Sequence, residues 1–318
     1  MLAQRCQFLR ENLVFADRQF IAHYLLTSLD SSRMPLNMRP AMSIHTKPEE
    51  KKNWEAQVAA PPYQGHKIFQ DLSKYIDFYN SWAFSTFFFM TQGTTSVVNL
   101  DSYVFSSIKG TLSSINMILK DGRINDSWTL LRKYHDSIII NIYSCLFLKD
   151  NFSINNFVVK KINDWIHGKS SLPEFRIMSQ YIRNHGELSE LNKLIYETDD
   201  RYKKIRDRCN DNTHYNFFKN MLLNDNEIYL KNRILYIDRL RVDLRDLFIL
   251  HVSYIFFLRE WYMASSDYVD YLECGDTPPE DSQYWVAPFI QEIFNNCISN
   301  FRPDIANYLK KNLSMHLE

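Results

Sequence analysis

Glycine is scarce, with 7 in 318 residues. Tight hairpins and sheet corners draw on glycine's freedom at positive φ, so the scarcity turns the expectation toward helices. An excess of charge of either sign is also missing. Lys and Arg total 37 and Asp and Glu total 37, so no bulk field draws nucleic acid or a membrane to the chain, and any such contact has to be local. No apolar run reaches the length of a bilayer span; the stretches 82–90 and 247–258 are too short or broken by polar residues. Arg5, Arg10 and Glu11 stand where a secretion signal would be apolar, which sets the expectation of a cytoplasmic protein with no membrane partner. The five cysteines (Cys6, Cys145, Cys209, Cys274 and Cys297) are odd in number and never form a CxxC pair. Reduced thiols are expected, and a zinc site is not.

Several signatures are absent. There is no GxxxxGK[ST] or GxGxxG loop, no HExxH and no GxSxG elbow. A nucleotide cradle, a metal centre and a serine hydrolase elbow are therefore unsupported, and no cofactor and no metal are expected.

What the chain does have is rings, with 22 Phe and 19 Tyr, at three-four spacings. Residues 2–29 read as an amphipathic helix or helix pair, and residues 30–64, with five prolines, as a linker or wrapping arm. Residues 65–318 read as one all-α domain, a multi-helix bundle. Its segments are an aromatic block at 66–92, helices over 101–120 and 126–149, a shorter piece over 152–165, a helix from Pro173 to His185, and another over 188–209. The longest helix is expected over 226–263, with a last one from Phe289 to about Leu313. His135 falls on an apolar seam and reads as a core residue. The charges of 238–246 (Asp238, Arg239, Arg241, Asp243, Arg245 and Asp246) read as a solvated, ion-paired face.

The densest chemistry lies in Asp199–Phe218, DDRYKKIRDRCNDNTHYNFF. Arg201, Lys204 and Arg208 share one helical face. Asn210, Asp211 and Asn212 favour turns and caps, and so mark a break that would bring Arg208 and His214 to one point. An Arg-x(4–6)-His pattern also arises elsewhere, as Arg18–His23, Arg39–His45 and Arg245–His251. The first and last enclose apolar helix residues and the second lies in the proline-rich arm, so context favours Arg208–His214.

Arg208-Cys-Asn-Asp-Asn-Thr-His214 resembles the R-x(4–6)-H motif of the HEPN superfamily, and the likeness covers the motif and its flanking helices, in a HEPN-like core over about residues 100–318. The resemblance implies an endoribonuclease that works without metal, of the toxin or anti-phage defence kind. His214 would move the proton of a ribose 2′-hydroxyl and Arg208 would clamp the phosphate. Asn210, Asn212 and Tyr215 would support them, and Arg201 and Lys204 would extend an RNA-binding face. It also implies a homodimer with a composite site, and an antitoxin or other defence-system partner. Two other readings stay open. One is a non-catalytic helical dimerisation or interaction protein, which Cys209, Asp207 and Asp211 favour; the other is a sensor that binds a nucleotide or nucleic acid between helices.

Overall fold

The computed structural model describes residues 57–87, 97–279 and 285–318. These residues are mostly helical and contain no β-strand, as the scarcity of glycine leads one to expect. The helices of eight residues or more are α1 (Lys67–Ser85), α2 (Leu100–Lys120), α3 (Ile124–Asn151), α4 (Phe175–Asn184), α5 (Arg201–Thr213), α6 (Arg233–Leu258), α7 (Ser266–Glu273) and α8 (Pro303–Asn312). Local chemistry sets several of their ends. The His66 ring accepts from the Ile68 N–H (3.2 Å) at the start of α1, and the Ser265 hydroxyl accepts from the Tyr268 N–H (3.1 Å) at the start of α7. Gly122, at φ +85°, turns the chain from α2 into α3. A Cβ there would lie 2.8 Å from Val58 and 3.0 Å from Asn226, so both backbone and space require glycine.

α3 is the hub, touching α2, α4, α5 and α6. α6 is buried on every side from Asp246 to Phe256, the mark of a central helix. The rings of α1 supply much of the packing. Trp82 stacks on Phe105 at 4.2 Å, and Tyr75 on Phe248 at 4.1 Å.

A line of buried hydrogen bonds crosses this core. Asp101, as a carboxylate, only accepts, so Asn141 must turn its Nδ2 toward it (2.6 Å). That leaves Asn141 Oδ1 as acceptor for His251 Nε2–H (2.8 Å). His251 Nδ1 then accepts from the Tyr79 hydroxyl (2.7 Å), which in turn accepts from Tyr134 (2.9 Å). Each donor role follows from the one before it. The line joins α2, α3, α6 and α1 and fixes His251 as a neutral imidazole protonated on Nε2.

The structure corrects several boundaries. Ile124–Asn151 is longer than α6, which begins at Arg233 and ends at Leu258. Residues 226–232 form a turn instead, held because the buried Arg233 donates to the carbonyls of Asp225 (2.7 Å) and Ile228 (2.8 Å) and to Gln57 Oε1 (3.0 Å). The piece expected over 152–165 is helical only at Lys160–Ile166, and Phe152, Ile154, Phe157 and Val158 stand in solvent. The run 188–209 is interrupted: a π turn at Lys193–Glu197 precedes α5. The last helix is likewise broken into Pro288–Ile293, a π turn at Phe294–Ser299, and α8. The face of α6 at 238–246 is ion-paired but not solvated throughout, since Asp243 and Asp246 are buried. The helices expected over 2–29 and most of the arm over 30–64 lie outside the described residues; of the arm, Val58 and Tyr63 join the core. His135 is buried as expected. No described helix is long and apolar enough to cross a membrane.

Replacing Asn141 with Leu leaves both Asp101 and His251 short of a partner, and should lower unfolding stability by about 2–4 kcal/mol, measured by urea denaturation. Acid should act on the same core. Burial pushes His251 and His135 down to about 3, helped at His135 by Arg206 and Arg183. Their unfolded pKa is about 6.5, so below that pH the unfolded chain binds the extra protons. Stability is complete above pH 6.5 and falls as pH drops toward 3. Between pH 7 and pH 5 each histidine should cost about 2 kcal/mol, and a His135→Leu variant should lose that much less over the same interval.

Candidate functional site

The expected break at Asn210–Asn212 is not where the helix ends. α5 runs unbroken through all three residues to Thr213, with Tyr202, Ile205, Cys209 and Asn212 on its buried face. Tertiary contacts explain the persistence. Asn212 Nδ2 donates to the Arg208 carbonyl (2.8 Å), while Asn125 of α3 donates to Asn212 Oδ1 (2.9 Å) and to its carbonyl (3.1 Å). An asparagine that would favour a cap in isolation is thus spent clamping two helices.

Because the helix continues, the six-residue offset turns Arg208 and His214 toward different neighbours. Arg208 faces α6 and grips Asp243 with both arms of its guanidinium (Nε–Oδ2 2.8 Å, Nη2–Oδ1 2.6 Å). Burial raises the pKa of Asp243 even against this partner, so pulling Arg208 away would strand a buried carboxylate. Arg208 lies over Trp128 as well, 5.9 Å from the ring centre. His214 is exposed and faces α3, where Arg132 Nη1 lies 3.3 Å from its Nε2. Arginine can only donate, so that nitrogen of His214 carries a lone pair. Each member of the pair expected from the sequence has its own partner, Asp243 for Arg208 and Arg132 for His214, so a different arginine stands hydrogen-bonded to the histidine.

Arg201 and Lys204 are also engaged. Arg201 binds Asp199 through Nε (2.9 Å to Oδ1) and Nη2 (2.6 Å to Oδ2) and lies 3.6 Å from Asp246. Lys204 pairs with Asp200 at 2.7 Å on the surface. Both cations of the expected basic face are ion-paired, chiefly with the carboxylates just ahead of α5, and Arg201 alone of the two reaches across to α6. Asn210 is half-buried, and its side-chain oxygen is shut from solvent without a partner.

The end of α5 has its own geometry. The Tyr215 N–H reaches the Asn212 carbonyl (3.4 Å) and the Asn216 N–H reaches that of Asp211 (3.0 Å). These are the paired bonds of a Schellman cap, whose left-handed position is usually glycine. Here it is Tyr215, at φ +49°, a backbone that strains any residue with a side chain. Its ring is 44 % exposed, followed by Phe217 at 52 %, Phe218 at 73 % and Met221 at 52 %. Lys219 sits 5.5 Å from the Phe217 ring centre. The strained Tyr215, the exposed Phe217 and Phe218, and the contribution of Arg132 from 82 residues away leave no local mark that sequence reasoning could use.

The class that the fold defines is an all-α protein. Compared with family models, with curated proteins and with solved structures, the chain matches none.

Removing Arg208 alone (Arg208→Ala) should cost about 3 kcal/mol, the price of an orphaned buried carboxylate. Replacing both partners, Arg208→Met with Asp243→Leu, should recover most of that loss in the same denaturation assay.

Proposed function

We propose that the face around His214 binds single-stranded RNA. Tyr215 carries this reading: glycine would relieve its backbone, yet the chain keeps an exposed ring there, beside His214 and Arg132 and ahead of two more exposed rings. Strained residues persist where function holds them. Exposed rings with cations between them suit bases that stack and phosphates that need neutralising.

The HEPN-like ribonuclease is the finer form of the same proposal, with Arg132 in the role first expected of Arg208. A phosphate drawing Arg132 away would free the lone pair on His214 Nε2. That nitrogen could then take the proton of a ribose 2′-hydroxyl as its oxygen attacks phosphorus and the bond to the 5′-oxygen breaks. The products are a 2′,3′-cyclic phosphate and a 5′-hydroxyl, with the leaving oxygen taking its proton from water or from a second copy's histidine. A toxin or anti-phage defence role, a homodimer and a cognate partner belong to this reading.

Tyr215→Gly separates binding from folding. It should raise stability by about 0.5–1 kcal/mol by relieving the left-handed backbone. It should also weaken a labelled twelve-nucleotide oligouridine by roughly tenfold in fluorescence anisotropy, the worth of one stacked base. Unchanged affinity, or no binding by the parent chain, rules the RNA reading out. Cleavage in EDTA that disappears in His214→Ala would support the nuclease form.

The second reading is self-association through the same face, favoured by Phe218 and Met221, whose apolar side chains stand mostly in solvent. Light scattering should then report a dimer that Phe218→Ser turns into a monomer, with oligouridine left unbound.

A further inference from the structure

A cleft of about 530 Å³ opens where the start of α2, the end of α3 and the end of α6 meet. Its walls are mainly apolar: Val97, Val98, Leu100, Leu148, Phe152 and Trp261. Arg259, Asp101, Tyr262 and Lys149 supply the polar lining. The volume is that of a small-molecule site, and such sites pair apolar walls with a few converging polar groups.

The polar groups are not equally available. Asp101 is already satisfied: Oδ1 accepts from Asn141 (2.6 Å) and the Cys145 thiol (3.4 Å), and Oδ2 accepts from Tyr262 (2.6 Å). Lys149 pairs with Glu187. Arg259 differs. Its Nε is closed to solvent with no hydrogen-bond partner, its guanidinium is hydrogen-bonded to the weakly accepting sulfur of Cys145, and no carboxylate among the described residues pairs with it. Burial works against its charge, but the neighbouring Cys145, Asp101 and Tyr262 more than offset that and raise its pKa. A permanently charged, planar donor with unspent hydrogens, set into an apolar cleft, is built for a carboxylate or similar oxyanion.

We propose that this cleft binds a small amphipathic anion, its carboxylate on Arg259 and its apolar body against Val98, Phe152 and Trp261. The site lies at the far end of α3 from Arg132. Sixteen residues separate Arg132 from Leu148, about 24 Å along the axis. It is therefore separate from the proposed RNA face and does not depend on it. Asp101, in the lining of the cleft, is also the first member of the buried line through Asn141 and His251.

Sodium decanoate is the probe, with decanol as the uncharged control, each titrated calorimetrically into the full chain. Decanoate should bind saturably at one per chain and at least tenfold more tightly than decanol. Arg259→Gln should weaken decanoate at least tenfold and leave decanol within twofold. Should Arg259→Gln fail to fold, Val98→Glu decides: Val98 is an exposed wall residue, and a carboxylate there should abolish decanoate binding while the melting temperature stays within a degree or two. No saturable binding, equal affinity for decanol, or decanoate binding that survives these substitutions overturns the proposal.

Discussion

The line of hydrogen bonds from Asp101 to Tyr134 is the constraint on which the rest depends. Five polar side chains from four helices lie in the core, where an unpaired group would be costly. They are tolerated because a carboxylate at one end sets the direction of every bond that follows. The apolar packing of Trp82, Phe105 and Phe248 would accept small shifts between helices; this line would not. It therefore fixes the register of α1, α2 and α6 against α3, and with it the place where Arg259 and Tyr262 meet the start of α2.

A second set of polar contacts sets the outer helix. α5 is held to α6 by Arg208–Asp243 and to α3 by Asn125–Asn212. Such pairs return little net stability once desolvation is counted, but they hold the helix in one rotation. That rotation turns Arg208 inward to a carboxylate and leaves His214 outward beside Arg132. The same helix ends in a cap that accepts Tyr215 where glycine would cost less. Ion pairing and strain together shape the exposed face, and neither requires the arginine and histidine of the motif to meet.

Much of the fold was legible because helical periodicity is a local property. The three-four spacing of Trp128, Leu131, His135, Ile138 and Ile142 marks α3, and all five are buried. Where expectation and structure part, long-range contacts had overridden local preference. Asn210 and Asn212 read as breakers, yet the helix continues, with Asn212 clamped to Asn125 of α3. Residues 152–165 read as one short helix, yet only Lys160–Ile166 is helical and Phe152, Ile154 and Phe157 stand in solvent. Asp243 and Asp246 read as surface charges, and arginines on α5 drew them inside.

The sequence by itself determined the helical class, the main segments and the chemical richness of residues 199–218, because spacing and composition act over one or two turns. Only the tertiary structure decided which charges pair, which rings stay exposed and which arginine stands by His214. Those outcomes depend on groups tens to hundreds of residues apart in the chain. A helix face takes its meaning from what is packed against it, and no spacing rule carries that information.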